Sequence, residues 1–277
     1  MLNPSASLQE IVEYRGVEGL VAAEVLTDDD ENGYTTDDVF AIAGVAEIQK
    51  TTDSSSEAHY YDNIPAVVIT NVSSDEVTIS VSAIPLDVLA KITGQVYDDA
   101  TGALIEGPRD VKYFAIGYKT KKTNGDEVYV WRYKGTFNIP DQTNSTENDS
   151  TDANGQEIVY TGISTTHKFT KTGKGSKALV VDTGKNLANV NSFFDVVTTP
   201  DTLAAKVERT LSITQATDTV VTVTRGGATL TSSSKIYDGD VLTISVTGGT
   251  ITVNGSAFTS GNTMTVASNV TVVSTKT

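Results

Sequence analysis

Residues 113–140 constrain the fold of this chain more than any other stretch. Two strand-like runs flank Asn124-Gly125, a dipeptide that turns a β-hairpin because both central positions tolerate positive φ. In the second run Tyr129, Trp131 and Tyr133 alternate with Val128, Val130, Arg132 and Lys134. A period of two puts the aromatic residues on one face and the others on the opposite one. A chain organised around such a hairpin is committed to β-structure.

The rest of the pattern is also mainly strand. Val77, Ile79, Val81 and Ala83 alternate with Thr78, Ser80 and Ser82, which predicts a half-buried strand. The clearest helix signal follows at once. Pro85 suits a first turn, Asp87 complements the positive end, and Gly94 ends the helix. Leu86, Leu89 and Ala90 form its apolar stripe, with Val88 and Ile92 toward a neighbouring edge. A helix of about ten residues is marginal alone and must pack on a sheet. Leu187, Val190 and Phe194, at helical spacing, predict a second, short helix. Residues 50–63 and 141–155 are polar and mostly lack apolar periodicity; loops of this length are functional or disordered.

Composition changes after Pro200. All six prolines lie at or before it, and 27 of the 68 residues from Thr210 onward are Ser or Thr. Short apolar runs at 220–224, 241–246, 250–253, 263–266 and 270–273 are separated by Gly226-Gly227, Asp238-Gly239, Gly248-Gly249, Asn254-Gly255 and Gly261-Asn262. This even spacing predicts a small β-sandwich or barrel. The expected organisation is a domain over 1–203, a linker over 204–209 and a second domain over 210–277.

Several residues form an ordered series. Gly117-Tyr118-Lys119-Thr120-Lys121-Lys122-Thr123-Asn124-Gly125 precedes the Tyr129, Trp131, Tyr133, Lys134, Gly135, Phe137 and Pro140 series. Ala41 to Ile48 lies upstream, as does the helix segment from Ile84 to Gly94, and Asn191-Ser192-Phe193-Phe194-Asp195-Val196-Val197 lies downstream. In order and spacing this series resembles the major tail tube protein of long, non-contractile-tailed bacteriophages, over roughly residues 8–200. The resemblance implies a β-sandwich with one flanking helix, in which residues 50–63 form a long hairpin loop reaching toward an adjoining ring. The C-terminal 77 residues are similar to the bacterial Ig-like domains that phage structural proteins carry, without a cysteine pair or a core Trp.

Charge and residue inventory narrow the chemistry. The net charge of −15 argues against stable nucleic-acid binding, because phosphates are held by clustered Lys and Arg. An acidic wall would instead leave a sliding duplex hydrated. From Glu24 to Asp62 there are eleven carboxylates and one base, Lys50. Seven Lys or Arg lie between Arg109 and Lys134, and five lysines between Thr166 and Val190. Opposite-sign surfaces of this kind are expected to meet between subunits and fix register. The absence of cysteine excludes disulfides and thiolate zinc sites.

No cofactor or metal is expected. Asp28, Asp30, Asn32 and Gly33 match the start of an EF-hand loop, but Val39 stands where a bidentate Glu is needed. His59 and His167 are far apart, and Gly173-Lys174-Gly175-Ser176-Lys177 lacks the first Gly of a phosphate loop. No enzymatic activity is expected. The N-terminal residues lack the pattern of a secretory signal, and no stretch approaches a membrane span.

The resemblance therefore implies a virion protein, made in the host cytoplasm, whose main partner is itself. Six copies would form a ring, and rings would stack into a tube through which DNA passes during genome ejection without specific binding. If each copy lends four strands, closure at about 4.8 Å per strand and about 40° tilt gives a backbone diameter of roughly 50 Å. Tape-measure and tail-terminator or tip proteins are the other implied partners. Inter-ring contact is expected at Ser54, Ser55, Ser56, Glu57, His59, Tyr60 and Tyr61, with Leu8 and Ile11 of an N-terminal arm. The alternative readings are a bacterial surface adhesin and a carbohydrate-binding β-sandwich, the latter using Tyr129, Trp131 and Tyr133 as a stacking platform.

Overall fold

The computed structural model describes residues 11–61, 63–141 and 155–276. The chain divides into two compact units, Met1–Gly184 with Val190–Leu203, and Lys185–Asn189 with Ala204–Thr277. The architecture is mainly β, as the alternation predicts, and α1 is the one α-helix among the described residues. No helix among them is long and apolar enough to cross a membrane.

The first unit contains β1 (Tyr14–Asp29), β2 (Gly33–Thr36), β3 (Phe40–Ala41), β4 (Val45–Tyr61), β5 (Ile64–Val81) and α1 (Leu86–Thr93). It continues with β6 (Val96–Asp98), β7 (Ala103–Ile105), β8 (Phe114–Lys122), β9 (Glu127–Phe137), β10 (Gln156–Ile163) and β11 (Ala178–Asp182). One nine-stranded sheet runs in the order β2-β1-β8-β9-β10-β5-β4, with β3 also on β1 and β11 also on β9. One edge of β9 is shared: its first half pairs with β11 from Val128↔Asp182 to Arg132↔Ala178, and its last part pairs with β10 from Lys134↔Ile163 to Phe137↔Tyr160. The sheet curls around a core that includes Val77, Ile79, Phe114, Ile116, Val128, Val130, Phe137, Ile158 and Tyr160. Leu89 and Ile92 of α1 join it.

The β8–β9 hairpin differs in detail from the sequence expectation. Gly125 alone has positive φ (93°) in the turn, and its N–H bonds to the Lys122 carbonyl while the Lys122 N–H bonds to the Asp126 carbonyl. This is the three-residue loop with a left-handed glycine, in place of the two-residue primed turn. A register shift opposite Phe114 and Ile116 marks a bulge. An extra residue reverses which side chains point inward, so Val128, Val130 and Phe137 reach the same core despite their odd spacing.

Trp131 and Tyr133 face away from that core and are nevertheless fully buried. Phe169 and residues 193–198 cover them. Trp131 Nε1 donates to the Phe193 carbonyl (2.8 Å), and Tyr133 Oη donates to the Thr198 carbonyl (3.1 Å). Phe169 packs on Tyr133, and Phe194 packs on Tyr129 and Trp131. The aromatic face is thus largely a second buried layer, with Tyr129 half-buried beside Phe193 and Phe194.

Three further expectations are corrected. Residues 50–63 carry no apolar period, yet residues 50–61 are strand, because backbone bonding to β5 needs no apolar side chains. Leu187, Val190 and Phe194 do not form a helix: Thr183–Lys185 is one 3-10 turn, and residues 191–197 are turns whose aromatic side chains serve the β9 face. Leu86 leaves the apolar stripe of α1 and is exposed, while Leu89, Ala90 and Ile92 are buried. Glu208 and Arg209 form β12 (Glu208–Arg209), which pairs with Tyr237 and Ile236. Most of residues 141–155 lie outside the described residues. Gly94 ends α1 as expected, with φ 73° and its N–H on the Ala90 carbonyl. A Cβ there would also lie 1.9 Å from the Asp110 carbonyl oxygen, so both backbone and space require glycine.

Beyond β12 the second unit holds β13 (Leu211–Thr214), β14 (Val220–Arg225), β15 (Ala228–Leu230), β16 (Ile236–Tyr237) and β17 (Val241–Thr247). It ends with β18 (Gly249–Val253), β19 (Ser256–Phe258), β20 (Thr263–Thr265) and β21 (Val270–Lys276). Two four-stranded sheets, β13-β21-β18-β19 and β15-β14-β17-β20, share a core of Leu211, Val223, Ile236, Leu242, Ile244, Ile251, Val270 and Val272, among others. Residues 185–189 belong to this unit: Ala188 bridges Ala205, and Asn186 Nδ2 donates to buried Asp240 (2.7 Å).

Trp131 is the single tryptophan, is buried, and donates to the Phe193 carbonyl, so its fluorescence reports the second layer directly. Phe193→Ala is expected to lower stability by about 3–4 kcal/mol, read as a lower urea midpoint followed by Trp131 emission.

Candidate assembly surfaces

The β4–β5 hairpin leaves the body of the first unit at Asp75. β10 covers β5 from Val81 only as far as Asp75, opposite Gly162. Beyond that, from Thr52↔Asp75 to Tyr61↔Ile64, β4 and β5 pair only with each other among the described residues. At about 3.3 Å per residue this arm is about 30 Å long. An isolated two-stranded ribbon is marginal in water, and this one exposes apolar residues on both faces. Glu57 opposes Ile69, Ala58 opposes Val68 and His59 opposes Val67. Val68 therefore stands on one face, and Val67 and Ile69 on the other. Tyr60, Tyr61, Ile64, Val67, Val68 and Ile69 are all exposed, Tyr60 at 66%.

Ser54, Ser55, Ser56, Glu57, His59, Tyr60 and Tyr61 all lie on the β4 half of this arm. Ile11 lies before β1 and is 94% exposed, and Leu8 lies outside the described residues. Sequence reasoning missed the β5 half. Its signal was present in the apolar run Ala66-Val67-Val68-Ile69, which has no helical or alternating partner pattern.

A charge knot holds the root of the arm. Asp75 is buried and accepts from Arg132 Nη1 (2.9 Å) and Lys177 Nζ (3.3 Å), with Lys50 Nζ at 3.9 Å. Burial alone would raise the Asp75 carboxyl, but the hydrogen bonds from Lys177 and Thr52 and the charge of Lys50 outweigh it and hold the group below its ordinary value. Arg132 is itself buried, and its Nε has no hydrogen-bond partner among the described residues. Removing the anion would leave buried positive charge uncompensated.

The acidic turn that begins like an EF-hand loop is occupied by a different task. Asp28 accepts from the backbone N–H groups of Thr166 and His167 (both 2.9 Å) and from Lys134 Nζ (2.5 Å). Asp30 accepts from the Lys168 N–H (3.0 Å) and Nζ (2.6 Å). Asp201 accepts from the N–H groups of Thr170 and Lys171. Carboxylates thus pin residues 166–171, and with them buried Phe169, over the aromatic face of β9. Burial acts to raise Asp28, yet Lys134 and the two amides outweigh it, and Asp28 sits below its ordinary value. Asp30 is lowered chiefly by Lys168, and Asp201 chiefly by the Lys171 amide.

These pairs also revise the expected use of charge. Glu24 with Lys112, Asp28 with Lys134, Asp30 with Lys168 and Asp37 with Lys91 are ion pairs within one chain. Much of the acidic first third is therefore neutralised internally. A face that stays acidic is the solvent side of β4, β5 and β10. Glu47 and Glu157 both oppose Ser80, and Thr51 and Thr161 both oppose Glu76. Gln49 and Val159 flank Thr78 between them, so three strands present three glutamates and no Lys or Arg across these rows.

Two outcomes follow. Asp75→Ala is expected to cost about 3–5 kcal/mol, read as a loss of urea resistance at pH 7. Asp28, Asp30, Asp75 and Asp201 all have lowered folded values, so each stabilises the fold above the ordinary carboxylate value of about 3.9. That contribution disappears as pH falls through the folded values. The urea midpoint should therefore drop below about pH 4, and the deficit of Asp28→Asn, present at pH 7, should narrow in acid.

Comparison with known proteins gives one family. No curated protein matches the chain. A family model described as phage tail tube protein matches residues 19–186, more than half of the sequence, and spans the curled sheet, the arm and its root. This chain belongs to the phage tail tube protein family.

Proposed function

We propose that this tail tube protein assembles as hexameric rings that stack into a hollow tail, and that the genome passes along its lumen to the host. The observation that carries the reading is the β4–β5 arm, a ribbon with apolar residues exposed on both faces among the described residues. Such a surface is stable when another copy sandwiches it. Heterologous contacts close a ring by rotation and repeat without closing along a filament. The hexameric number and the stacking follow the family resemblance. The role is mechanical and non-enzymatic, and the implied partners besides itself are tape-measure and tail-terminator or tip proteins.

The acidic solvent face of β4, β5 and β10 suits the lumen wall. Glu47, Glu76 and Glu157 present no cation to a phosphate, so a passing duplex keeps its hydration and counterions. The second unit, with its two four-stranded sheets over one core, is read as an immunoglobulin-like domain carried by the tube.

Substitution on the arm tests the stacking role without disturbing the core, because Val68 and Tyr61 are exposed. Val68→Asp with Tyr61→Asp should leave the urea midpoint within about 0.5 kcal/mol of the parent and abolish filament growth in sedimentation velocity. Filaments of normal length from this double variant would contradict the assignment of the arm.

A further inference from the structure

We propose that the root of the β4–β5 arm carries a binding site for an oxyanion, held by Lys50, Arg132 and the Tyr118 hydroxyl. The site goes beyond the tube reading and does not require it, since all three residues belong to one copy. A period of two builds it. Val128, Val130 and Arg132 share one face of β9, so the side chain that follows two core valines is a cation. Lys50 stands two residues after Ile48 on β4, and Tyr118 two residues after Ile116 on β8. Ile116 belongs to the core and Ile48 packs against it. Three inward-facing polar groups therefore meet where the apolar interior of the sheet ends. They line one groove of about 710 Å³ that opens beside β1.

Positive charge is in surplus there. Arg132, Lys50 and Lys177 surround a single carboxylate, Asp75, at 2.9, 3.9 and 3.3 Å. Glu47 also lines the groove, but it opposes Ser80 and stands on the face of β4 opposite to Ile48 and Lys50. The guanidinium is short of acceptors. Arg132 is only 7% exposed; its Nη1 donates to Asp75, and its Nη2 reaches Tyr118 Oη only at 3.5 Å. Its Nε has no partner among the described residues. Lys50 Nζ, at 3.9 Å, lies too far from Asp75 for a hydrogen bond.

A buried cation without a full set of acceptors is costly, and an anion that brings several lone pairs removes the deficit. The oxygens of an oxyanion can accept from Lys50 Nζ, from the guanidinium and from the Tyr118 O–H, whose oxygen already accepts from Arg132. Apolar walls such as Val130 keep water from part of the groove, which strengthens charge-assisted hydrogen bonds made inside it. A phosphate-like ion and a carboxylate offer this same chemistry. Either one, bound here, ties β4, β8 and β9 together and braces the arm at its root.

Urea unfolding of the full-length protein, followed by Trp131 emission, tests the site in phosphate, acetate and chloride at equal ionic strength. Phosphate also stabilises proteins non-specifically, by exclusion from their surface, an effect that does not saturate and is alike in every variant. Binding at the site should add a saturating rise in the parent's midpoint, and Lys50→Gln should need about tenfold more phosphate to reach it. Lys174→Gln, which changes an exposed lysine outside the groove, should respond like the parent. Tyr118→Phe removes only the hydroxyl, should shift saturation in the same direction, and gives the reading if Lys50→Gln does not fold. A saturating rise in acetate as well assigns the ligand as a carboxylate, and one confined to phosphate assigns a tetrahedral ion. No saturating rise in either anion, or saturation at parental concentrations in the variant read, would overturn the site while leaving the tube reading intact.

Discussion

The first unit is organised by strand β9, which is buried on both faces and shares one edge between two partners. One face supplies Val128, Val130 and Phe137 to the interior of the curled sheet. The other buries Trp131 and Tyr133 beneath Phe169 and residues 193–198. A strand covered on both sides cannot slip by one residue without exposing one apolar set and burying groups of the other. The bulge near Tyr133 is fixed by the same demand, since without it Phe137 would leave the core. The neighbouring strands take their register from this one, and so does the position of the arm root through Arg132 and Asp75.

The periphery of the unit contrasts with that centre. The arm, the edge of β4 that is unpaired among the described residues and the groove beside β1 all carry groups exposed to water. Apolar side chains at the centre are buried within one copy, whereas those of the arm are exposed among the described residues. The carboxylates follow the same division: Asp28, Asp30, Asp75 and Asp201 are spent on pinning segments of their own chain. Glu47, Glu76 and Glu157 remain on a solvent face. For a protein of the tail tube family, open edges of this kind suit self-assembly into a tube.

Much of this was legible in the sequence. Alternation at Val77, Ile79 and Val81 marked a strand, and Pro85 and Gly94 bracketed the helix. The ordered aromatic and Lys-rich series carried the family resemblance. What was not legible has physical causes. Residues 50–61 form strand through backbone bonds to β5, and polar side chains pointing to solvent leave no periodic trace. The aromatic layer over β9 depends on contacts between residues far apart in sequence, such as Trp131 with Phe193, so the spacing of Leu187, Val190 and Phe194 suggested a helix instead. The bulge in β9 broke a period of two that the sequence appeared to keep. Lys134 and Lys168 were read as a basic surface, but each meets an acidic partner from the β1–β2 turn.

The central claim is that copies of this chain complete one another through surfaces that are open in the single copy. Cryo-electron microscopy of the concentrated full-length protein tests it most directly. The account predicts hollow filaments in which the β4–β5 arm of each ring lies against the next ring and Val67, Val68 and Ile69 are covered on both faces. Protein that stays monomeric at every concentration, or filaments in which the arm projects uncovered into solvent, would contradict it.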